Sequence, residues 1–131
     1  MVLIDSQVFM YLVGAAHPNK VDAQRRLEGL VAERTRLVSD AEALSEILHR
    51  YTALDRRGYL QLAYDALLGV VDEVLPIERE TLERAKQLVL QYPTLPVRTA
   101  VHVATMQQHG IGTVLSFDAG FDRVPGVVRV R

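Results

Sequence analysis

Two aspartates stand where an apolar run gives out: Asp5 follows VLI and Asp118 follows TVLSF. A carboxylate at the tip of a buried strand is costly unless something compensates its charge. If the two strands are neighbours, both carboxylates face one cleft, and a cation between them relieves their repulsion. Hard divalent ions such as Mg²⁺ are held in this way, by one or two carboxylates plus water and substrate phosphate oxygens. The alternative is that each aspartate only caps the helix that follows, a position Asp favours. Spacing leaves both readings open, and two such acids in one chain favour a site. Glu46, within ALSEILHRY, is a third acid. On a helical wheel Leu44, Ile47, Leu48 and Tyr51 form the apolar stripe and Glu46 lies nearly opposite. Periodicity therefore reads it as a solvated surface acid, with Glu42 one turn earlier.

The elements that must position these acids alternate along the chain. VLI (2–4) reads as a strand, Ser6 as the cap of a helix over 8–13 that Gly14 ends, and AAHPNK as a loop. An amphipathic helix starts near Pro18 and carries Val21, Leu27, Leu30 and Val31. RLVS (36–39) is a strand and a helix follows from Asp40. DRRG (55–58) breaks the chain before a helix over 59–68. VDEVLPI (71–77) reads as a strand demoted at Pro76, and 78–92 as a strong helix with acids in its first half. YPTLP is a linker, 97–109 a helix closed by Gly110, TVLSF (113–117) a strand, FDAGFD a turn and VVRV (127–130) a last strand. Strands alternating with helices predict one α/β domain over 1–131 with a mainly parallel sheet, whose functional crevice lies beyond the carboxyl ends of the strands.

Composition narrows the classes. No cysteine is present, which removes disulfides, thiolate chemistry and cysteine-bound zinc and fits a reducing cytoplasm. The apolar start is interrupted at Asp5 without a basic lead-in, so a secretory signal is not expected, and no apolar run reaches membrane-spanning length. A formal net charge of −1 argues against indiscriminate nucleic-acid binding by the whole chain. The basic residues are nearly all arginine, which suits bidentate contact with phosphate.

Taken together, VLIDSQVFMYL, ALSEILHRY, RTAVHVATMQQHGI and TVLSFDAGFD resemble, in order and spacing, the PIN-domain toxins of bacterial VapBC-type pairs, over nearly the whole chain. The resemblance implies a three-layer α/β/α sandwich around a parallel sheet. It implies a Mg²⁺- or Mn²⁺-dependent endoribonuclease toxin of a type II toxin–antitoxin pair, which dimerises and is inhibited by a cognate VapB-type antitoxin, with tRNA and rRNA among the candidate substrates. By the same resemblance the acidic site is Asp5, Glu46 and Asp118, with Asp5 and Asp118 as metal ligands, and Asp122 matches a further acid of some members. One position departs: Thr99 stands where the family pattern has a site aspartate, and a hydroxyl cannot supply the missing negative charge. That leaves a second reading, a weakened or inactive PIN domain that binds RNA or antitoxin.

Other polar residues carry less. His102 sits among Val101, Val103 and Ala104 and reads as a histidine hydrogen-bonded near the core rather than a substrate contact. His17, His49 and His109 lack zinc-ligand spacing. Ser6 and Ser116 flank the acids and either cap helices or hydrogen-bond carboxylates, and Arg98 is the arginine best placed for phosphate. A response-regulator-like domain would need a lysine near the acids, and Lys20 and Lys86 lie elsewhere. Few aromatics are present, so no stacking surface for RNA is evident. The apolar faces of 8–13 and 21–31 exceed what a small domain needs and predict a homodimer.

Overall fold

β1 (Val2–Ile4) is only three residues long, yet all three side chains are buried. That requires cover on both faces, and the computed structural model, which describes residues 1–131, supplies it. After β1 come α1 (Ser6–Val13), α2 (Pro18–Ala32), β2 (Leu37–Asp40), α3 (Ala41–Ala53), a 3₁₀ turn (Arg57–Tyr59), α4 (Leu60–Val70) and β3 (Glu73–Leu75). α5 (Arg79–Gln91), α6 (Val97–Gln108), β4 (Thr113–Leu115), a second 3₁₀ turn (Ala119–Arg123) and β5 (Val128–Val130) complete the chain. The five strands form one all-parallel sheet in the order β3-β2-β1-β4-β5.

Strand residues alternate between two cores. Leu3, Val38, Leu75 and Val114 face α5 and α6 together with Val103, Met106 and Phe121. Val2, Ile4, Leu37 and Leu115 face the other way, against Val8, Phe9, Ile47 and Leu67. Each fully buried residue of this size contributes about 1.5–3 kcal/mol of transfer free energy. Near-continuous apolar strands are what a parallel sheet covered on both sides demands.

The chain lays down β1, β2 and β3 outward in one direction, then returns so that β4 pairs with the free side of β1. The switch point of the sheet therefore lies between β1 and β4, where open α/β sheets form their crevice. Val2 pairs with Thr113 and Ile4 with Leu115, so the residues that follow, Asp5 and Ser116, emerge together.

The helix ends are set by capping side chains and by residues in the left-handed region. Asp5, not Ser6, caps α1: its side chain accepts from the Ser6 backbone N–H at 2.7 Å, and Ser6 is already helical. Glu78 opens α5 through a reciprocal capping box with Thr81. The DRRG break is made by Asp55 rather than Gly58. Asp55 takes φ of 53°, Arg56 N–H returns to the Tyr51 carbonyl at 2.7 Å, and Asp55 N–H to that of Thr52 at 3.1 Å. This is the Schellman pattern with an aspartate in the left-handed position. Arg34, with φ of 57°, ends α2 in the same way, and Gly110, with φ of 66°, ends α6 as its residue type predicts.

Candidate active site

Asp5 leaves the end of β1 and turns its carboxylate along the sheet edge. Oδ1 accepts from the Ser6 N–H, and Oδ2 accepts the Ser116 hydroxyl at 2.6 Å. Ser116, just past β4, also accepts from the Asp118 backbone N–H at 2.9 Å, so one buried hydroxyl ties the two strand-end acids together. Asp118 in turn caps the turn that follows, through Gly120 N–H at 2.8 Å, and accepts the Thr99 hydroxyl at 2.9 Å. Asp5 and Asp118 are thus caps and members of one polar cluster at once. The two readings of them do not exclude each other.

The third acid is where periodicity did not put it. Glu46 is half-buried, its carboxylate hydrogen-bonded to His102 Nε2 and 4.0 Å from Arg98 Nε. The buried face of α3 is Ala43, Ile47 and Tyr51, while Leu48 is 47% exposed. Ala43 weighs little on an apolar wheel but packs in the core, so the true stripe is rotated and Glu46 lies at its edge rather than opposite.

His102 organises the cluster. It is 1% exposed, in the middle of α6, with Nδ1 2.7 Å from Asp40 Oδ2 and Nε2 3.5 Å from Asp5 Oδ1 in addition to its Glu46 bond. Burial alone would depress its pKa. The charge and hydrogen bond of Asp40, the hydrogen bond of Glu46 and the charge of Asp5 outweigh that and hold it well above 6.5. Burial raises the Asp5 carboxyl, with the His102 charge opposing. Asp40 also caps α3 through Ala43 N–H at 3.0 Å. It is a full member of the cluster that sequence reading assigned only to the start of a helix. The signal was present: LVSD ends an apolar strand in an acid just as VLID does.

Asp122 makes no direct hydrogen bond to the other acids and is linked to the cluster only through Arg129. Arg129 Nε and Nη2 grip its carboxylate at 3.0 and 2.9 Å, and the same guanidinium reaches the Ser116 carbonyl at 3.3 Å. The Arg129 hydrogen bond holds the Asp122 carboxyl below its ordinary value. Ser6 adds a longer hydroxyl contact to Asp5 at 3.4 Å. Arg98 stands half-exposed at the rim.

One ligand atom each from Asp5, Glu46 and His102 lies within 4.8 Å of the others. The carboxylate oxygens of Asp5 and Glu46, with Asp118 joined to Asp5 through Ser116, are hard donors that fit a divalent cation, while His102, held protonated between Asp40 and Glu46, orients Glu46 and offers no lone pair. The site opens into a groove of about 820 Å³ between α1 and α3, lined by Ser6 and Glu46 at one end and by Arg56 and Tyr59 at the other. Tyr11, Tyr51 and Tyr59 also line this groove. No helix is long and apolar enough to cross a membrane.

The sequence matches the PIN domain family over residues 2–127. It is 55% identical over 130 residues to ribonuclease VapC13 of Mycobacterium tuberculosis, covering 99% of each chain. The fold is similar to that of VapC20 of M. tuberculosis, described as a sarcin–ricin loop cleaving toxin, with a TM-score of 0.76, 23% identity, and 100% and 99% of the two chains covered. It is also similar to a chain of VapBC2 from Rickettsia felis bound to a DNA fragment from the promoter of that pair, with a TM-score of 0.75, 12% identity, and 99% and 98% covered. A parallel sheet crossing over at β1 and β4, acids at its strand ends and this extent of identity agree, and the chain belongs to the PIN-domain family as a VapC-like member.

Proposed function

We propose that the protein is a divalent-metal-dependent endoribonuclease toxin, hydrolysing RNA phosphodiesters at the acidic cleft and held inactive by a VapB-type antitoxin. The observation that carries this reading is the convergence of Asp5, Glu46 and His102 within 4.8 Å from three distant segments, with Asp118 tied to Asp5 through Ser116. In this reading Asp5 and Asp118 hold Mg²⁺ or Mn²⁺ and Glu46 holds the ion or orients its water. A carboxylate-held divalent ion lowers the pKa of bound water and neutralises charge developing on the phosphate. Ser116 keeps the two strand-end carboxylates in register, His102 fixes Glu46, and Arg98 meets a phosphate oxygen. Antitoxin and homodimer belong to the same reading. VapC13 is a named ribonuclease, the Rickettsia structure is that of a VapBC pair, and Val21 and Val31 stay more than half exposed on α2.

A second reading is favoured by Thr99. Its buried hydroxyl donates to Asp118 where an aspartate would add a charge, so the protein would bind RNA or antitoxin with little catalysis. Cleavage of an RNA panel in Mg²⁺ or Mn²⁺ by the chain, its Asp5→Asn variant and its Thr99→Asp variant separates the two. Under the first reading the unaltered chain cuts and Asp5→Asn loses more than about 100-fold. If only Thr99→Asp cuts, the binding reading holds. If none cuts and Asp5→Asn leaves metal affinity unchanged, the nuclease reading fails.

A further inference from the structure

The groove between α1 and α3 has features that the acid cluster does not use. Tyr51 and Tyr59 stack with ring centroids 5.5 Å apart and planes 17° from parallel. Tyr51 is buried, whereas Tyr59 is only half-buried, so the pair presents one supported aromatic face to the groove. Arg50 and Arg56 line the same groove, and neither takes part in an ion pair. Arg98 carries the line of cations back to Glu46. The position of the outer group is structurally fixed: the left-handed Asp55 and the Arg56 N–H bond to Tyr51 fold the α3 exit back, which brings Arg56 and Tyr59 over the end of the helix.

Resting on the ribonuclease reading, we propose that this groove is the subsite for single-stranded nucleotides adjoining the scissile phosphate, with one base stacked on the Tyr59–Tyr51 pair and the flanking phosphates on Arg50 and Arg56. Arg50, Arg56 and Arg98 outnumber Glu42 and Glu46 in the lining, and this excess of positive charge favours an anionic strand. Supported aromatic faces select exposed bases, which a duplex hides within its stack. The groove volume of about 820 Å³ is of the size that holds an organic group as large as a nucleotide. Stacking accepts any base, so this subsite would add affinity with only a modest sequence preference.

The test measures binding and cleavage separately. Binding is read by fluorescence anisotropy of a labelled single-stranded oligoribonucleotide, without divalent metal, on full-length protein carrying Asp118→Asn. Adding Tyr59→Ala should weaken affinity roughly 10-fold, with Tyr59→Phe retaining it. Arg56→Gln should reduce the slope of log affinity against log salt by about 0.7. A duplex of the same sequence should be indifferent to Tyr59→Ala. In the cleaving chain the Tyr59 change should appear in KM with kcat held. Tyr59→Phe and Arg56→Gln are mild changes at accessible positions, so a folding defect in Tyr59→Ala would not remove the test. Unchanged affinity and salt slope in both Tyr59→Ala and Arg56→Gln would overturn the proposal, while cleavage by the unaltered chain keeps the ribonuclease reading standing. If these variants leave RNA affinity untouched and weaken the complex with the antitoxin instead, the groove seats a protein and the proposal is overturned. Absence of cleavage by the unaltered chain, with oligonucleotide affinity still lost in the variants, would count against catalysis and for the groove.

Discussion

Asp40 Oδ2 lies 2.7 Å from His102 Nδ1, with both side chains essentially removed from solvent and 62 residues apart in the chain. This contact fixes the imidazole so that Nε2 points at Glu46 and Asp5. A carboxylate behind a histidine sets the ring's orientation and its charge, and losing one such partner at a metal site typically costs 10–100-fold.

Asp40→Asn should therefore lower RNA cleavage about 10- to 100-fold. Asparagine is as good an N-cap as aspartate, so α3 keeps its start and the loss reports the histidine contact. Stability should fall by about 2 kcal/mol, the worth of a buried hydrogen bond to a charged group. Urea denaturation beside a cleavage assay checks both. An unchanged cleavage rate would show that the orientation of His102 is irrelevant to the reaction.

Stability of the metal-free protein should decline as pH rises. His102 has its folded pKa raised well above 6.5, so its contribution is complete below the unfolded value and disappears as pH climbs through the folded one. Asp5 is also raised, from 3.8, so burying its ionised form costs stability at every pH above its own titration. Both shifts mean that the folded state binds more protons than the unfolded one, and the slopes add in sign. Denaturation midpoints between pH 6 and 9, compared with those of His102→Gln, measure the histidine part; a variant with the same slope as the parent would refute the assignment.

Gly120→Ala is expected to disturb the site without touching any acid. A Cβ there would stand 3.0 Å from Asp118 Oδ1, the atom that the Gly120 N–H holds at 2.8 Å. The carboxylate must yield by a few tenths of an ångström, and small misplacements of reacting groups are expensive. A several-fold fall in cleavage with weaker Mn²⁺ affinity by calorimetry is the expected result. Parental affinity would mean that Asp118 has room to adjust.

Asp122→Asn should leave cleavage within about twofold, since Arg129 already occupies that carboxylate and no direct hydrogen bond joins it to the other acids. The hydrogen bond from Arg129 holds the Asp122 carboxyl low, so the pair contributes stability above the unfolded pKa and loses it as pH falls through the folded one. A small drop in Tm at neutral pH that vanishes in acid would confirm the pairing. A large loss of cleavage would return Asp122 to the site.

Much of the scaffold was legible because parallel strands covered on both faces are nearly continuous apolar runs, as VLI and TVL are, and because Pro18, Glu78 and Gly110 mark helix ends chemically. Asp5 and Asp118 could be singled out by the strand-end rule alone. Asp40 obeys the same rule, yet its capping role to α3 masked the second oxygen that turns to His102. The family resemblance put Glu46 in the acidic site, but periodicity alone read it as a surface acid, because side-chain size dominates a wheel and Ala43 counts for little although it lies on the buried face of α3. The tyrosine pair was invisible for another reason: Tyr51 and Tyr59 meet only after Asp55 reverses the chain, and an aspartate in the left-handed region has no distinctive sequence mark.

The return of β4 to the side of β1 has a consequence for synthesis. The hydroxyl and the carboxylate that complete the surroundings of Asp5, those of Ser116 and Asp118, are translated more than a hundred residues after it. A nascent chain that has not yet reached β4 carries an orphan acid, so the cluster can assemble only after that strand has been made.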